Sequence, residues 1–160
     1  MEQRAALLSA LAPVLARLAD EEPGDPGLAA RLNAELPHDG PALAALAALV
    51  REGAQAGWLA PKGGPGLAFG RVSKPLEATR DFSIDAVVMD RPGPGHVHPR
   101  GEIDLCFALS GEPRFDGQPA GWVCYEPGSW HVPTVSGGSM AILYFLPGGA
   151  FQMAPEGPPS

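Results

Sequence analysis

The sequence has few of the residues that mark secreted or nucleic-acid-binding proteins. Only two of its 160 residues are cysteine, Cys106 and Cys124, so it lacks the dense cysteine spacing of a disulfide framework. Lysine and arginine number 11 against 18 aspartates and glutamates, which gives a formal net charge of −7. Such a chain is a poor ligand for nucleic acid or an anionic membrane, and we expect neither as a partner.

Long apolar runs are missing as well. No stretch reaches the roughly 20 apolar residues that a helix needs to cross a bilayer. The first residues, with Glu2 and Arg4 in an amphipathic pattern, do not resemble a secretion signal. We therefore expect a cytoplasmic protein with no membrane attachment. No Gly-rich dinucleotide-binding loop is present, so no nicotinamide or flavin cofactor is predicted.

The first third of the chain has the leucine spacing of amphipathic helices. Over 3–19, leucines recur every three or four residues, and Pro13 within this run predicts a kink or two short helices. Further helices are predicted over 28–36 and 41–55, with Asp39 as a candidate N-cap. Residues 1–56 are thus interpreted as an N-terminal helical segment that covers a sheet or a dimer partner.

From residue 57 onward, short runs of alternating apolar residues are separated by turns rich in glycine and proline. Strands are predicted over 67–72, 82–89, 102–109, 120–125 and 141–146. A turn is predicted at 110–112 and a hairpin at Asp116-Gly117. Many short strands joined in this way indicate an antiparallel barrel or sandwich. We predict a β-domain over 57–153, with fraying after Gly148, and a disordered tail over 154–160.

Two histidines and a glutamate lie close together in the middle of the β-region. His96 and His98 are two residues apart, so on a strand both imidazoles point to the same face. A Pro-Arg-Gly turn at 99–101 then returns Glu102 to that side. Another histidine, His131, follows a later Pro-Gly turn. Imidazoles and a carboxylate are typical ligands of a divalent metal ion; the alternative is a barrel that binds no metal.

The order His-x-His-x3-Glu, followed by Pro-Gly-x-x-His, resembles the two half-motifs of the cupin superfamily. Longer runs are similar to the 4-hydroxylaminobenzoate lyase family: 98–105, 114–117, 120–122, 127–135 and 143–149. The resemblance implies a mainly β fold, a cupin-type antiparallel β-barrel (double-stranded β-helix) with an N-terminal helical extension. It also implies one divalent metal ion, whether iron, manganese, nickel, cobalt or zinc, on His96, His98, Glu102 and His131.

For the reaction, the resemblance implies a metal-dependent lyase in the degradation of nitroaromatic acids. It would convert 4-hydroxylaminobenzoate and water to 3,4-dihydroxybenzoate (protocatechuate) and ammonia, with no net redox change. Glu102 is expected to be a metal ligand or a proton acceptor. Asp104 shares the strand face of Glu102, so it is predicted either to shuttle protons or to make a structural hydrogen bond.

A substrate with a carboxylate requires a cation in the site. Arg71, Arg100 and Arg114 are the candidates, and Arg114 is the first choice because it is predicted to lie in a strand beside a hairpin. The ring of the substrate needs an apolar surface. Trp130 and Tyr144 are predicted to stack on it, with core packing as the alternative.

Other functions stay open at this point. Cupin half-motifs serve many chemistries, so a metal-dependent dioxygenase or isomerase acting on a small organic acid is one alternative. A non-enzymatic small-molecule-binding cupin is another, although the chain lacks a basic patch for DNA. The expected partner is a small aromatic carboxylate, and a homodimer fits the cupin resemblance.

Overall fold

The computed structural model of the chain describes residues 2–159. Its N-terminal part forms three α-helices and a short 3-10 turn at Pro41–Leu43. The helices are α1 (Glu2–Leu18), α2 (Leu28–Glu35) and α3 (Ala44–Ala56). Each helix buries the apolar residues that recur at helical spacing, so each packs one face onto the rest of the protein.

Helix α1 continues through Pro13, so the predicted division into two short helices is wrong. Proline removes one backbone hydrogen bond, but Leu11 and Val14 beside it are at most 2% exposed. Their burial holds the helix to the core and outweighs the lost bond. The predicted cap at Asp39 is also wrong, because Gly40 is the N-cap residue of the 3-10 turn and no side chain caps it.

Within residues 2–159, nine strands follow the helices and form two antiparallel sheets. The strands are β1 (Lys62–Gly64), β2 (Leu67–Ser73), β3 (Phe82–Met89), β4 (His96–His98), β5 (Glu102–Phe115), β6 (Gly121–Tyr125), β7 (Ser129–His131), β8 (Val135–Pro147) and β9 (Gln152–Met153). The larger sheet has the order β1-β2-β3-β8-β5-β6, and the smaller one β7-β4-β9. This confirms the predicted mainly β, cupin-type fold with an N-terminal helical extension. Over residues 2–159 the ladders form two sheets that do not close into one continuous cylinder.

The predicted turn at 110–112 is wrong, because β5 runs unbroken through it. The ladder between β5 and β8 shifts register twice in this region, as a β-bulge does. At Gly111, whose φ is 69°, a Cβ would come within 2.5 Å of the Gly137 carbonyl oxygen, so only glycine fits. The predicted hairpin is confirmed: Asp116 and Gly117 have φ of 48° and 83°, as a two-residue hairpin turn requires.

The prediction that the chain frays after Gly148 is wrong for Gln152 and Met153, which form β9. Gln152 and Met153 pair with Val97 and His96 of β4 and add a third strand to the smaller sheet. A strand of two residues is too short to show a periodicity in the sequence. The C-terminal residues are therefore held beside the predicted metal ligands.

The larger sheet is buried on both faces. On β5, Leu105 packs with the helices in one core cluster, whereas its neighbour Cys106 packs in a second cluster with Tyr144. Because strand residues alternate, Glu102 and Asp104 point to the same side as Cys106. The helices therefore cover one face of the sheet, and the predicted ligands lie on the other.

Candidate metal centre

Three strands bring the four predicted ligands together. His96 and His98 lie on β4, Glu102 begins β5, and His131 ends β7. The pairing of β4 with β7 sets His96 directly opposite His131. One ligand atom from each of the four side chains lies within 4.8 Å of all the others. These residue types in this arrangement can hold a divalent metal ion.

The cluster is buried and its converging atoms are unsatisfied. His96 is 2% exposed, and His98 and Glu102 are 0% exposed. His98 Nε2 lies 3.1 Å from Glu102 Oε2, and His96 Nε2 lies 3.1 Å from His131 Nε2. Within the described chain, His98 Nε2 and both Glu102 oxygens nevertheless have no hydrogen-bond partner. Buried polar atoms without partners are costly, so these converging lone pairs fit a bound cation.

The other ring nitrogen of each histidine on β4 is held by a neighbouring oxygen. His98 Nδ1 lies 3.0 Å from Ser129 Oγ. Because that hydroxyl donates to the Glu126 carbonyl oxygen at 2.6 Å, it accepts from the imidazole. His96 Nδ1 faces the Pro94 carbonyl oxygen at 3.4 Å. These contacts favour a proton on Nδ1 and leave the Nε2 lone pair for a metal.

Asp116 holds the third histidine. Its Oδ2 accepts from His131 Nδ1 at 2.6 Å and from the Tyr125 hydroxyl, and its Oδ1 accepts from the Thr134 backbone N–H at 2.9 Å. Burial raises the pKa of the Asp116 carboxyl, but the hydrogen bonds from His131 and Tyr125 outweigh burial and lower it overall. Asp116 is therefore ionised at neutral pH, and it orients His131.

Asp104 is a second buried carboxyl beside Glu102. It is 0% exposed, and within residues 2–159 neither oxygen has a hydrogen-bond partner. Burial raises the pKa of Asp104 well above its ordinary value, and the charge of Glu102 raises it further. Burial also raises the pKa of Glu102, but the imidazoles of His96 and His98 outweigh this and lower it. The two opposite shifts therefore favour the proton on Asp104 and the negative charge on Glu102.

A cavity of about 560 Å³ opens beside His96. Its walls are largely apolar and include the rings of Tyr144 and Phe151. They also carry two cationic side chains, Lys62 and Arg71, and the Asp85 carboxylate, which accepts from Arg71 Nε at 2.7 Å. An apolar cavity with a few polar groups and a predicted metal ligand in its wall is a suitable site for a small aromatic acid.

The sequence as a whole matches a known family. A family model described as 4-hydroxylaminobenzoate lyase aligns with residues 9–153. The chain belongs to the 4-hydroxylaminobenzoate lyase family. The resemblance predicted from the runs between residues 98 and 149 is thereby confirmed.

Two relatives are named 4-hydroxylaminobenzoate lyase. The one from Nocardioides sp. (strain LMS-CY) is 35% identical over 114 residues, which cover 65% of this chain and 68% of the relative. The one from Pseudomonas putida is 34% identical over 122 residues, which cover 65% of this chain and 69% of the relative. Among solved structures, the DMSP lyase DddQ from Ruegeria pomeroyi DSS-3 aligns with a TM-score of 0.42 and 18% identity, covering 96% of this chain and 98% of that one.

In this member of the 4-hydroxylaminobenzoate lyase family, two of the predicted substrate residues line the cavity. They are Arg71 and Tyr144. Arg100 does not lie in the cavity wall. It is exposed, and its Nη1 lies 3.9 Å from Asp81 Oδ2.

No helix within residues 2–159 is long and apolar enough to cross a membrane.

The structure does not bring Arg114 or Trp130 to the cavity wall. Arg114 is exposed and donates to the Gly117 carbonyl oxygen at 3.2 Å, because its neighbour Phe115 occupies the inward position on β5. Trp130 is half-buried and donates to the Ala154 carbonyl oxygen at 2.8 Å. On its short strand the next residue bears the inward-facing imidazole, so Trp130 points to the other side.

The sequence pattern does not reveal three residues at the site. It predicts only a turn at Asp116, although the side chain of Asp116 holds His131. Lys62 and Phe151 line the cavity but lie in segments with no recognisable periodicity. The Asp-Gly signal predicts a hairpin, and nothing local to it indicates where the aspartate side chain points.

Proposed function

We propose that the chain is a metal-dependent lyase that converts 4-hydroxylaminobenzoate and water to 3,4-dihydroxybenzoate and ammonia. Family membership supports the substrate and the class of reaction. The observation that carries the proposal is the set of unsatisfied, converging ligand atoms next to an apolar cavity with cations in its wall. The reaction balances without an oxidant, since one water is consumed and one ammonia is released.

The metal would be held by His96, His98, Glu102 and His131. When bound, a divalent ion supplies Lewis-acid polarisation of a substrate oxygen and lowers the pKa of a coordinated water. The surrounding residues keep each histidine Nε2 lone pair directed inward, because their oxygen atoms accept a hydrogen bond from each Nδ1–H.

The orientation of the substrate is proposed from a row of paired residues that crosses the larger sheet. Arg71 pairs with Asp85, Asp85 with Tyr144, and Tyr144 with Asp104, on strands β2, β3, β8 and β5. Neighbouring strands lie about 4.8 Å apart, and burial increases from the exposed Arg71 to the fully buried Asp104. An acid laid along this row has its carboxylate at Arg71, its ring over Tyr144 and its hydroxylamino group near Asp104.

Asp104 is proposed as the proton donor. The oxygen that leaves nitrogen must take up a proton to depart as water. Burial and the charge of Glu102 raise the pKa of Asp104 well above its ordinary value, which favours its protonated form. It lies at the buried end of the row, where the hydroxylamino group would be placed.

An anaerobic assay tests the proposal. Metal-loaded protein is given 4-hydroxylaminobenzoate without nucleotide cofactors, and ammonia and 3,4-dihydroxybenzoate are expected in equal amounts. The variant His98→Ala removes one ligand and should lose both the metal and turnover. A strict requirement for oxygen, no ammonia from metal-loaded protein, or full turnover by His98→Ala would overturn the proposal.

A further inference from the structure

The C-terminal segment is anchored across the strand that carries two of the predicted ligands. Met153 pairs with His96 on β4, and the Ala154 N–H donates to the Gly95 carbonyl oxygen at 3.0 Å. From the other side, Trp130 Nε1–H donates to the Ala154 carbonyl oxygen at 2.8 Å. The segment therefore forms a fixed part of the cavity wall.

Phe151 presents an aromatic ring to the cavity from this wall. It is 41% exposed, although large apolar side chains are normally buried. Its ring centroid lies 4.6 Å from that of His96, with an angle of 36° between the planes. The ring of Tyr144, which also lines the cavity, lies 6.4 Å from the same imidazole. Two aromatic rings thus border the space next to one predicted metal ligand.

We propose that Phe151 selects substrates with an aromatic ring by stacking on that ring. The inference rests on the proposed function, since it takes this cavity as the substrate site. An apolar ring face left in water is unfavourable, and a planar substrate would cover it. Aromatic pairs with centroids about 4.5–7 Å apart are stabilised beyond the burial of their area. An aliphatic acid of similar size gains the burial but not this additional stabilisation.

The experiment compares two acids of similar size, benzoate and cyclohexanecarboxylate. Their affinities for metal-loaded protein are measured by titration calorimetry, and the ratio of the two is the readout. We expect the wild type to prefer benzoate. In Phe151→Leu, which keeps an apolar side chain without a ring, the preference should fall by about two- to twelve-fold. Phe151→Tyr keeps the ring and should keep the preference.

Leu76→Ala is the control. Leu76 is a large apolar side chain that is 44% exposed, and it lies outside the cavity wall. Its replacement should leave the benzoate preference unchanged. An unchanged preference in Phe151→Leu, or an equal loss in Leu76→Ala, would overturn the inference. So would a loss of bound metal in Phe151→Leu, because Phe151 would then support His96 and not the substrate.

The outcome can be separated from that of the proposed function. If the wild type releases ammonia from 4-hydroxylaminobenzoate but Phe151→Leu retains the preference for benzoate, only the assignment of Phe151 is wrong. If the wild type gives no ammonia while Phe151→Leu loses the preference, the aromatic site stands and the proposed reaction is wrong.

Discussion

The substitution Asp116→Asn tests whether this carboxylate positions a metal ligand. Asp116 has a left-handed backbone conformation with φ of 48°, which asparagine also tolerates, so the hairpin should be preserved. The change removes the negative charge that accepts from His131 Nδ1 at 2.6 Å. An asparagine amide can instead donate to Nδ1, which would move the imidazole proton to Nε2. That proton would then occupy the position needed by the metal.

The expected loss of metal affinity is about 10- to 100-fold, the range seen when an outer partner of a metal-binding histidine is removed. This corresponds to about 1.4–2.8 kcal/mol. The hydrogen bonds from the Tyr125 hydroxyl and the Thr134 N–H converge on the same carboxylate. Asparagine retains a carbonyl oxygen for the Thr134 N–H, whereas the Tyr125 hydroxyl loses the acceptor that it shares with His131. Because one of these two bonds remains, the effect on folding should be smaller than the effect on metal affinity.

Metal affinity is measured by competition with a chromophoric chelator at neutral pH, using zinc and manganese as probes. Thermal unfolding of the metal-free protein shows whether the fold is retained. Asp90→Asn serves as the control, because Asp90 is exposed and pairs with its neighbour Arg91. An unchanged affinity in folded Asp116→Asn, or an equal loss in Asp90→Asn, would refute the reasoning.

Two further predictions concern charged side chains. In steady-state kinetics, Arg71→Ala should raise the KM for 4-hydroxylaminobenzoate by about one to two orders of magnitude with metal content unchanged, whereas Arg114→Ala should not. Equal effects of the two variants would contradict the proposed orientation of the substrate. Arg17 donates a hydrogen bond to Glu21 and lowers the pKa of that carboxyl from 4.5, although burial opposes the shift. The ion pair therefore stabilises the folded protein above pH 4.5, and this stabilisation is lost as the pH falls through the lowered pKa. Glu21→Gln should therefore reduce the free energy of unfolding, measured by urea titration, by about 0.2–1 kcal/mol at neutral pH. The difference between wild type and variant should shrink at acid pH, and a difference that grew on acidification would contradict the prediction.

Four expectations from the sequence remain predictions. They are the association of two copies, the absence of a nucleic-acid partner, a disordered tail over 154–160 and a cytoplasmic location.

The sequence by itself determined the helical segment and the choice of candidate metal ligands. His96 and His98 share a face because strand residues alternate, and a short turn returns Glu102 to that face. These relations depend on backbone geometry over a few residues, and the second half-motif supplies His131 in the same way. The structure accordingly brings all four side chains to one point.

Only the tertiary structure decided which distant groups surround these ligands. Asp116 reaches His131 because a hairpin and a separate strand meet in space. Arg71 faces the cavity and Arg114 does not, since bulges shift the register of β5 and a shift of one residue turns a side chain to the opposite face. Phe151 enters the site through the pairing of a two-residue strand with β4. Such pairings are set by packing between segments far apart in the chain, and no local pattern of residues encodes them.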